Sequence, residues 1–390
     1  MRKMIGWVFF FLIFHFIFFF PEQSIAQPSK APIHDYLLRG VEKGLNLEEK
    51  AAAEELLKAV ELDRENPIGY SYLAMAYLFF YETSFEEQEK KKKEISLLQA
   101  VADAQTRAEK KTEKDPKDAE AYYSMAMAKL VKNRWEIIRK NYFRALREAQ
   151  NVKDFLEKTR ELDPGNHDVY YLAGVLHYHL AQLSGAARLI TSLFIASGDR
   201  QRGIKELELA AEKGRFLKDL AQFHLVSVYI GYEKQPARAL PMARRLKAKY
   251  PSNYNLSFAL ANVFSDLGQI EDALSVALEI EYGIKSGISP YRPELKPRYQ
   301  QLLGKIYLDK GEYDKAAEYL KQALKDTAPY NARVRAWALV RLGMIHDSRK
   351  ERKLAEEYYQ MAMEIEGAEG LAQRAAKEYL DAPYVSPKRK

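Results

Sequence analysis

The chain has no cysteine among its 390 residues, which removes disulfide stapling, thiolate nucleophiles and every cysteine-based zinc site. Other chemical signatures are missing too. No HExxH, GxSxG or GxxxxGK[ST] run occurs, and no glycine-rich turn suited to a dinucleotide, so zinc protease, serine hydrolase, P-loop and dinucleotide chemistries have no support. Charge of one sign is not concentrated either. The 61 Lys and Arg are interspersed with 54 Asp and Glu for a net +7, with no long basic stripe, and no nucleic-acid partner is expected. Tyrosine, by contrast, is plentiful. The 26 copies suit helix-pair contacts, where a ring packs while its hydroxyl still reaches water.

One long apolar run stands at the start, from Met4 to Phe20, interrupted only by His15 and flanked by Arg2, Lys3 and a Ser24-Ile25-Ala26 site. It reads as a secretory signal over residues 1–26, cleaved after Ala26. The alternative is a retained membrane anchor, because the run is nearly long enough to span a bilayer, and membrane association follows in that case. The absence of cysteine near the cleavage site argues against a lipid-anchored form.

The most regular stretch is Leu302 to Leu324, LLGKIYLDKGEYDKAAEYLKQAL. Leu303, Gly304 and Tyr307, then Ala316, Leu320 and Ala323 after Gly311 and Tyr313, predict two short amphipathic helices meeting at a tight turn. Small residues face large ones, so the two helices approach closely. The same pattern recurs between residues 33 and 366. It resembles the tetratricopeptide repeat, W-x2-L-G-x2-Y followed by A-x3-F and a late Ala and Pro, with Gln300 at the bulky opening position. The resemblance implies an all-α fold: a right-handed solenoid of about eight helix pairs, each packed on its neighbours.

Taken in order, a linker at 27–32 precedes a first unit with Ala52, Leu56 and Ala59 ending at Leu62-Asp63. The second opens with Tyr70, Leu73, Ala74 and Tyr77, but Ala104 and Ala108 come late, after a charge block at 86–94 expected as a solvated helix face or loop. The third carries Tyr122, Met125 and Ala126, then Val152, Leu156 and Thr159 before Leu162-Asp163-Pro164, with an added helical segment from Trp135 to Leu146. The fourth pairs Tyr170, Ala173, Gly174 and His177 with Gly203, Leu207 and Ala210. It is split by residues 183–198, whose only charge is Arg188. That stretch is either an extra core helix or an element lining a pocket or touching a membrane or partner. Repeats 2 to 4 therefore carry the insertions. Gly283, Gly287, Pro290, Pro293 and Pro297 mark a connection at 283–297 between an array at 33–282 and a C-terminal repeat pair with a capping helix at 298–382. Residues 383–390 form a basic tail.

A repeat superhelix offers a concave groove lined by the first helix of each unit. The positions after each buried stripe give Met75, Tyr123, Met127, Tyr171, Val175, Tyr178, Phe258 and Asn262, with Leu78, Leu130, His224 and Val228 beside them. Such a lining suits a peptide or protein segment. Alternatively, the insertions fill the groove and these residues are core. Some members of the family hold carboxylate-ended tails in a clamp. Asn262 and Arg341 occupy clamp-like places, but Phe258, Leu302 and Trp337 stand where the partners are needed, so no clamp is expected.

His177 and His179 lie two residues apart and point about 160° away from each other on a helix. They hold one ion only if His167, His224 or an acidic residue converges from elsewhere. No catalytic residue, metal or cofactor is expected. The expectation is a non-catalytic interaction or assembly scaffold in the periplasm or cell envelope of a bacterium. The bacterial setting rests on the signal and the resemblance together. The alternative is a transporter-associated protein binding a small apolar ligand or lipid in a pocket roofed by 183–198.

Overall fold

The computed structural model describes residues 31–182 and 198–386. The signal-like run, most of the linker, residues 183–197 and the end of the basic tail lie outside the described residues. Those described form helices in eight consecutive pairs and a final single helix, and no strand occurs among them. The first two pairs are α1 (Ala31–Leu45) with α2 (Glu49–Leu62) and α3 (Pro67–Thr83) with α4 (Glu87–Lys114). In the third, α5 (Ala119–Ile138) pairs with α7 (Val152–Leu162), and α6 (Tyr142–Ala149) stands between them. The next three are α8 (Val169–Ala181) with α9 (Arg200–Lys213), α10 (Lys218–Gly231) with α11 (Pro236–Lys249), and α12 (Tyr254–Asp266) with α13 (Ile270–Ser286). Then come α14 (Lys296–Lys310) with α15 (Tyr313–Ala323), α16 (Ala332–Ser348) with α17 (Arg352–Met363), and the cap α18 (Leu371–Asp381).

Local chemistry sets these boundaries. Asp63, Asp115 and Asp163 end second helices and turn the chain, each Oδ1 accepting from the backbone N–H two residues on, at 3.1, 2.9 and 3.2 Å. Such Asx turns explain the repeated Leu-Asp and Asp-Pro punctuation. New first helices are then capped by Asn66, Asp118 and Asn253, whose side chains accept from Ile68, Ala121 and Asn255 N–H groups. Within pairs, small residues permit close approach. A Cβ on Gly203 would lie 2.6 Å from the backbone nitrogen of Tyr178, and one on Gly174 would lie 2.9 Å from the Gly203 carbonyl oxygen.

Two insertions take definite form. The charge block extends α4 at its N-terminal end, and it is not uniformly solvated: Lys93 is buried, donating to Ser84 Oγ at 2.8 Å and lying 3.2 Å from Glu49 of α2. The added segment of the third unit is the last turn of α5 plus α6. In the proline-rich connection, Tyr291 folds back over Gly283 and packs 6.0 Å from the Tyr254 ring. At the C-terminus, Arg352 donates to the Tyr379 and Leu380 carbonyls at 2.8 Å, closing the end of the capping helix onto the eighth pair.

Successive first helices also touch one another, α1 to α3, α3 to α5, α5 to α8, α10 to α12, α12 to α14 and α14 to α16. Second helices make no comparable row, so first helices form the tighter, inner side of the curve. The curve closes within the chain. Asn253 Nδ2 donates to the Leu45 carbonyl at 2.6 Å, Ser252 N–H to Asn46 Oδ1 at 3.1 Å, and Lys249 pairs with Glu42 at 2.6 Å. Phe85 meets Tyr330 with ring centres 5.2 Å apart, and Arg292 lies 3.7 Å from Glu89. Lys140 reaches Glu366 at 3.5 Å, and Arg374 donates to Gln182 at 3.2 Å. Units one to four thus abut the units about five further on. One continuous core runs from Leu37 and Leu45 to Leu246, Tyr250 and Leu256.

Candidate functional site

The inner side carries one polar constellation drawn from four successive first helices. Glu82 ends α3 and accepts from Arg134 Nε, in the last turns of α5, at 2.8 Å. His179 of α8 and His224 of α10 face each other with Nε2 atoms 3.2 Å apart, and the Tyr171 ring stands edge-on to His224 at 6.1 Å. His179 is exposed and His224 half-buried. Desolvation of the ring on the inner side lowers the His179 pKa to about 4, with the Arg134 charge adding to it. Desolvation, then His179, then Arg134, lower His224 to about 3. Burial pushes the Tyr171 hydroxyl upward, assisted by the negative charge of Glu82. Both imidazoles are therefore neutral at physiological pH. Each offers one donor and one acceptor.

Of the residues expected in the groove, Tyr123, Met127, Tyr178 and Phe258 are instead buried core. The curve is tight enough for opposing side chains to fill its axis. The Tyr123 hydroxyl meets that of Tyr72 at 3.4 Å, Tyr178 donates to Glu233 at 2.8 Å, and Phe258 lies under the Arg298 guanidinium at 4.1 Å. Met75, Tyr171, Val175 and Asn262 keep partial exposure. Of these, Tyr171 joins the polar constellation, while Asn262 turns its amide back onto the Phe258 carbonyl at 2.8 Å. Glu82 and Arg134 were absent from the sequence-derived set, and His179 entered it only through the histidine pair and not as a groove residue. They lie beyond the repeat's consensus positions, where periodicity assigns no direction.

His177 and His179 do diverge. His177 Nδ1 meets Glu206 at 2.5 Å inside the fourth pair, while His179 faces His224. No group of three or more His, Asp or Glu placed to hold a metal occurs among the described residues. Arg341 is buried, its guanidinium 4.8 Å from the Trp337 ring centre, and burial lowers its pKa to about 10. A cleft of about 630 Å³ lies between α9, α10 and α11, rimmed by Glu208, Glu212, Lys218, Arg238 and Arg245. It is not apolar. The roof expected from residues 183–198 falls, but for Gly198, outside the described residues. No helix among the described residues is long and apolar enough to cross a membrane.

Comparison with known proteins gives two family matches. The model described as regulator of microtubule dynamics protein 1-3 matches residues 38–206, from α1 into α9, and a tetratricopeptide-repeat model matches residues 297–325, the pair α14 and α15. No curated protein shows a significant match. Among solved structures, the chain is similar to human IFIT1 in a dimer with m7Gppp-AAAA, at 17% identity, 89% of this chain, 80% of that chain and a TM-score of 0.44. It is also similar to yeast Tom70 at 12% identity, 91% and 89% coverage, and a TM-score of 0.40. Eight close-packed helix pairs among the described residues, one of them matched directly by the repeat model, give the chain the architecture of a tetratricopeptide-repeat solenoid.

Proposed function

We propose that the protein is a non-catalytic interaction scaffold that holds an extended polypeptide segment against the inner wall at Glu82, Arg134, Tyr171, His179 and His224. The observation that carries this reading is the convergence of those side chains from α3, α5, α8 and α10 on one place. Neutral imidazoles offer paired donors and acceptors, which match the alternating N–H and C=O groups of a peptide backbone better than a strongly charged ligand. Half-exposed Met75 and Val175 on the same helices supply apolar contact for side chains. The match to the family named for regulation of microtubule dynamics spans α3, α5 and α8, three of the four contributing helices. The setting we propose is the bacterial cell envelope, reached through the N-terminal signal. N-terminal sequencing of the protein recovered from that fraction should begin at Gln27.

A photo-crosslinking residue at position 171 tests the site. It should capture a polypeptide, and Arg134→Ala or His179→Ala should reduce the yield about tenfold, equivalent to one hydrogen bond to the segment. Native mass spectrometry showing a stoichiometric lipid or small solute, with no polypeptide captured, would overturn the reading.

A further inference from the structure

The most exposed large apolar side chain among the described residues, Phe143, sits beside exposed Tyr142 at the tip of the third unit. Phe143 is 89% exposed and Tyr142 64%. Ala145 and Ala149 hold α6 against the body, where Asn133 Nδ2 also donates to the Ala145 carbonyl at 2.6 Å. The opposite face of the helix therefore looks outward, and at i and i+4 it presents Phe143 and Arg147, with Arg144 alongside. Arg144 and Arg147 are exposed and make no ion pair with another described residue. Acidic groups nearby are already engaged. Glu136 is buried against Lys132 at 3.3 Å, Glu148 lies 3.8 Å from Lys129, and Glu366 and Glu369 flank Lys140 at 3.5 and 3.6 Å.

We propose that this tip, Tyr142 and Phe143 with Arg144 and Arg147, docks on an anionic bilayer surface. Two ring tips on one eight-residue helix cover far less than the roughly 800 Å² per partner of a stable protein interface. They suit the interfacial zone of a membrane, where an aromatic ring enters the headgroup layer while neighbouring arginines meet phosphates. The unneutralised positive charge supplies the complementarity. Each arginine held near an anionic leaflet strengthens association about fivefold.

The cysteine-free sequence makes a local test available. Phe143→Cys in the full chain carries a single environment-sensitive fluorophore, so a tether contributed by the N-terminal apolar run does not mimic insertion at this site. With phosphatidylcholine vesicles containing about 30% phosphatidylserine, the 143 label should shift to the blue, and pure phosphatidylcholine should leave it unchanged. Arg144→Gln with Arg147→Gln should weaken the response about 25-fold, from the two fivefold contributions. A label at Ile95→Cys, an apolar position 71% exposed on α4, should stay unshifted. No shift at 143, an equal shift on neutral vesicles, an equal shift at 95, or a shift without vesicles as protein concentration rises would each overturn the proposal. The last result would mean that a second copy covers the tip.

Discussion

Asn253 offers the sharpest test of whether the coil is closed. Its side chain is fully buried and does two jobs: Oδ1 accepts from Asn255 N–H at 2.9 Å, capping α12, and Nδ2 donates to the Leu45 carbonyl at 2.6 Å across 208 positions of sequence. Asn253→Asp keeps the cap and removes only the donor. The Leu45 carbonyl is left unsatisfied beside a carboxylate oxygen, a loss of about 2–3 kcal/mol. Asn253→Ala also loses the cap, adding about 1 kcal/mol. The neighbouring Lys249–Glu42 pair, with both side chains more than a third exposed, contributes at most about 1 kcal/mol and does not rescue the seam.

Amide hydrogen exchange in the α1–α2 turn reads the effect where it matters. Asn46 and Glu48 N–H groups bond to Glu42 and Lys43 carbonyls at 3.0 and 2.9 Å, so they exchange only when that turn opens. A seam weakened by 2–3 kcal/mol should speed their exchange by roughly 30- to 150-fold. In an open solenoid the perturbation would stay within α12 and its immediate neighbours. Unchanged exchange at Asn46 and Glu48, with faster exchange confined to the first turn of α12, would refute the closure.

Three further outcomes follow from the packing. His179 and His224 have folded pKa values below the ordinary histidine value, about 4 and about 3, so the unfolded chain binds more protons as pH falls below about 6.5. Stability present above that pH is therefore lost on acidification toward the folded values, and because His179 is exposed the loss between pH 7 and 5 should be only about 1 kcal/mol after screening; urea titrations of wild type and a His179→Gln, His224→Gln variant should differ in slope with pH by that amount. Gly203→Ala should cost about 1–3 kcal/mol in the same assay, because its Cβ meets Tyr178 backbone at 2.6 Å, whereas Gly304→Ala, which meets the movable Leu320 side chain, should cost less. Lys93→Ala should lower the midpoint by about 1–2 kcal/mol through its lost bond to Ser84, while Lys91→Ala and Lys92→Ala, both exposed, should stay within about 0.5 kcal/mol.

The repeat was legible because its signals are local. Small residues opposite large ones, as at Gly304 against Leu320, recur at a fixed period, and Asp63, Asp115 and Asp163 terminate helices by bonding their own turns. Closure was not legible. It is carried by Glu42, Asn46, Lys249 and Asn253, polar residues that look like any other loop or helix-end position. Whether Tyr123 or Phe258 faces a groove depends on the sum of small rotations between successive pairs, and no single repeat encodes that sum. Lys93 shows the same limit within one helix, since its burial is set by α2 and the turn at Ser84 rather than by the charge block around it.

Closure and the polar constellation share the same geometry. A segment bound across α3, α5, α8 and α10 fixes the relative rotation of units two to five, and those rotations together decide where Asn253 arrives relative to Leu45. Binding and seam formation should therefore favour each other, and by linkage the effect must run both ways. Asn253→Asp should weaken capture at position 171, although residue 253 belongs to no part of the constellation. With a typical coupling of 1–3 kcal/mol the loss would be about 5- to 150-fold. Equal capture by wild type and variant, measured where the variant is still folded by circular dichroism, would mean that the wall holds its shape without the seam. The four contributing helices would then have to be positioned by their nearest neighbours alone, α3, α5 and α8 through their first-helix contacts and α8 and α10 through their shared packing on α9.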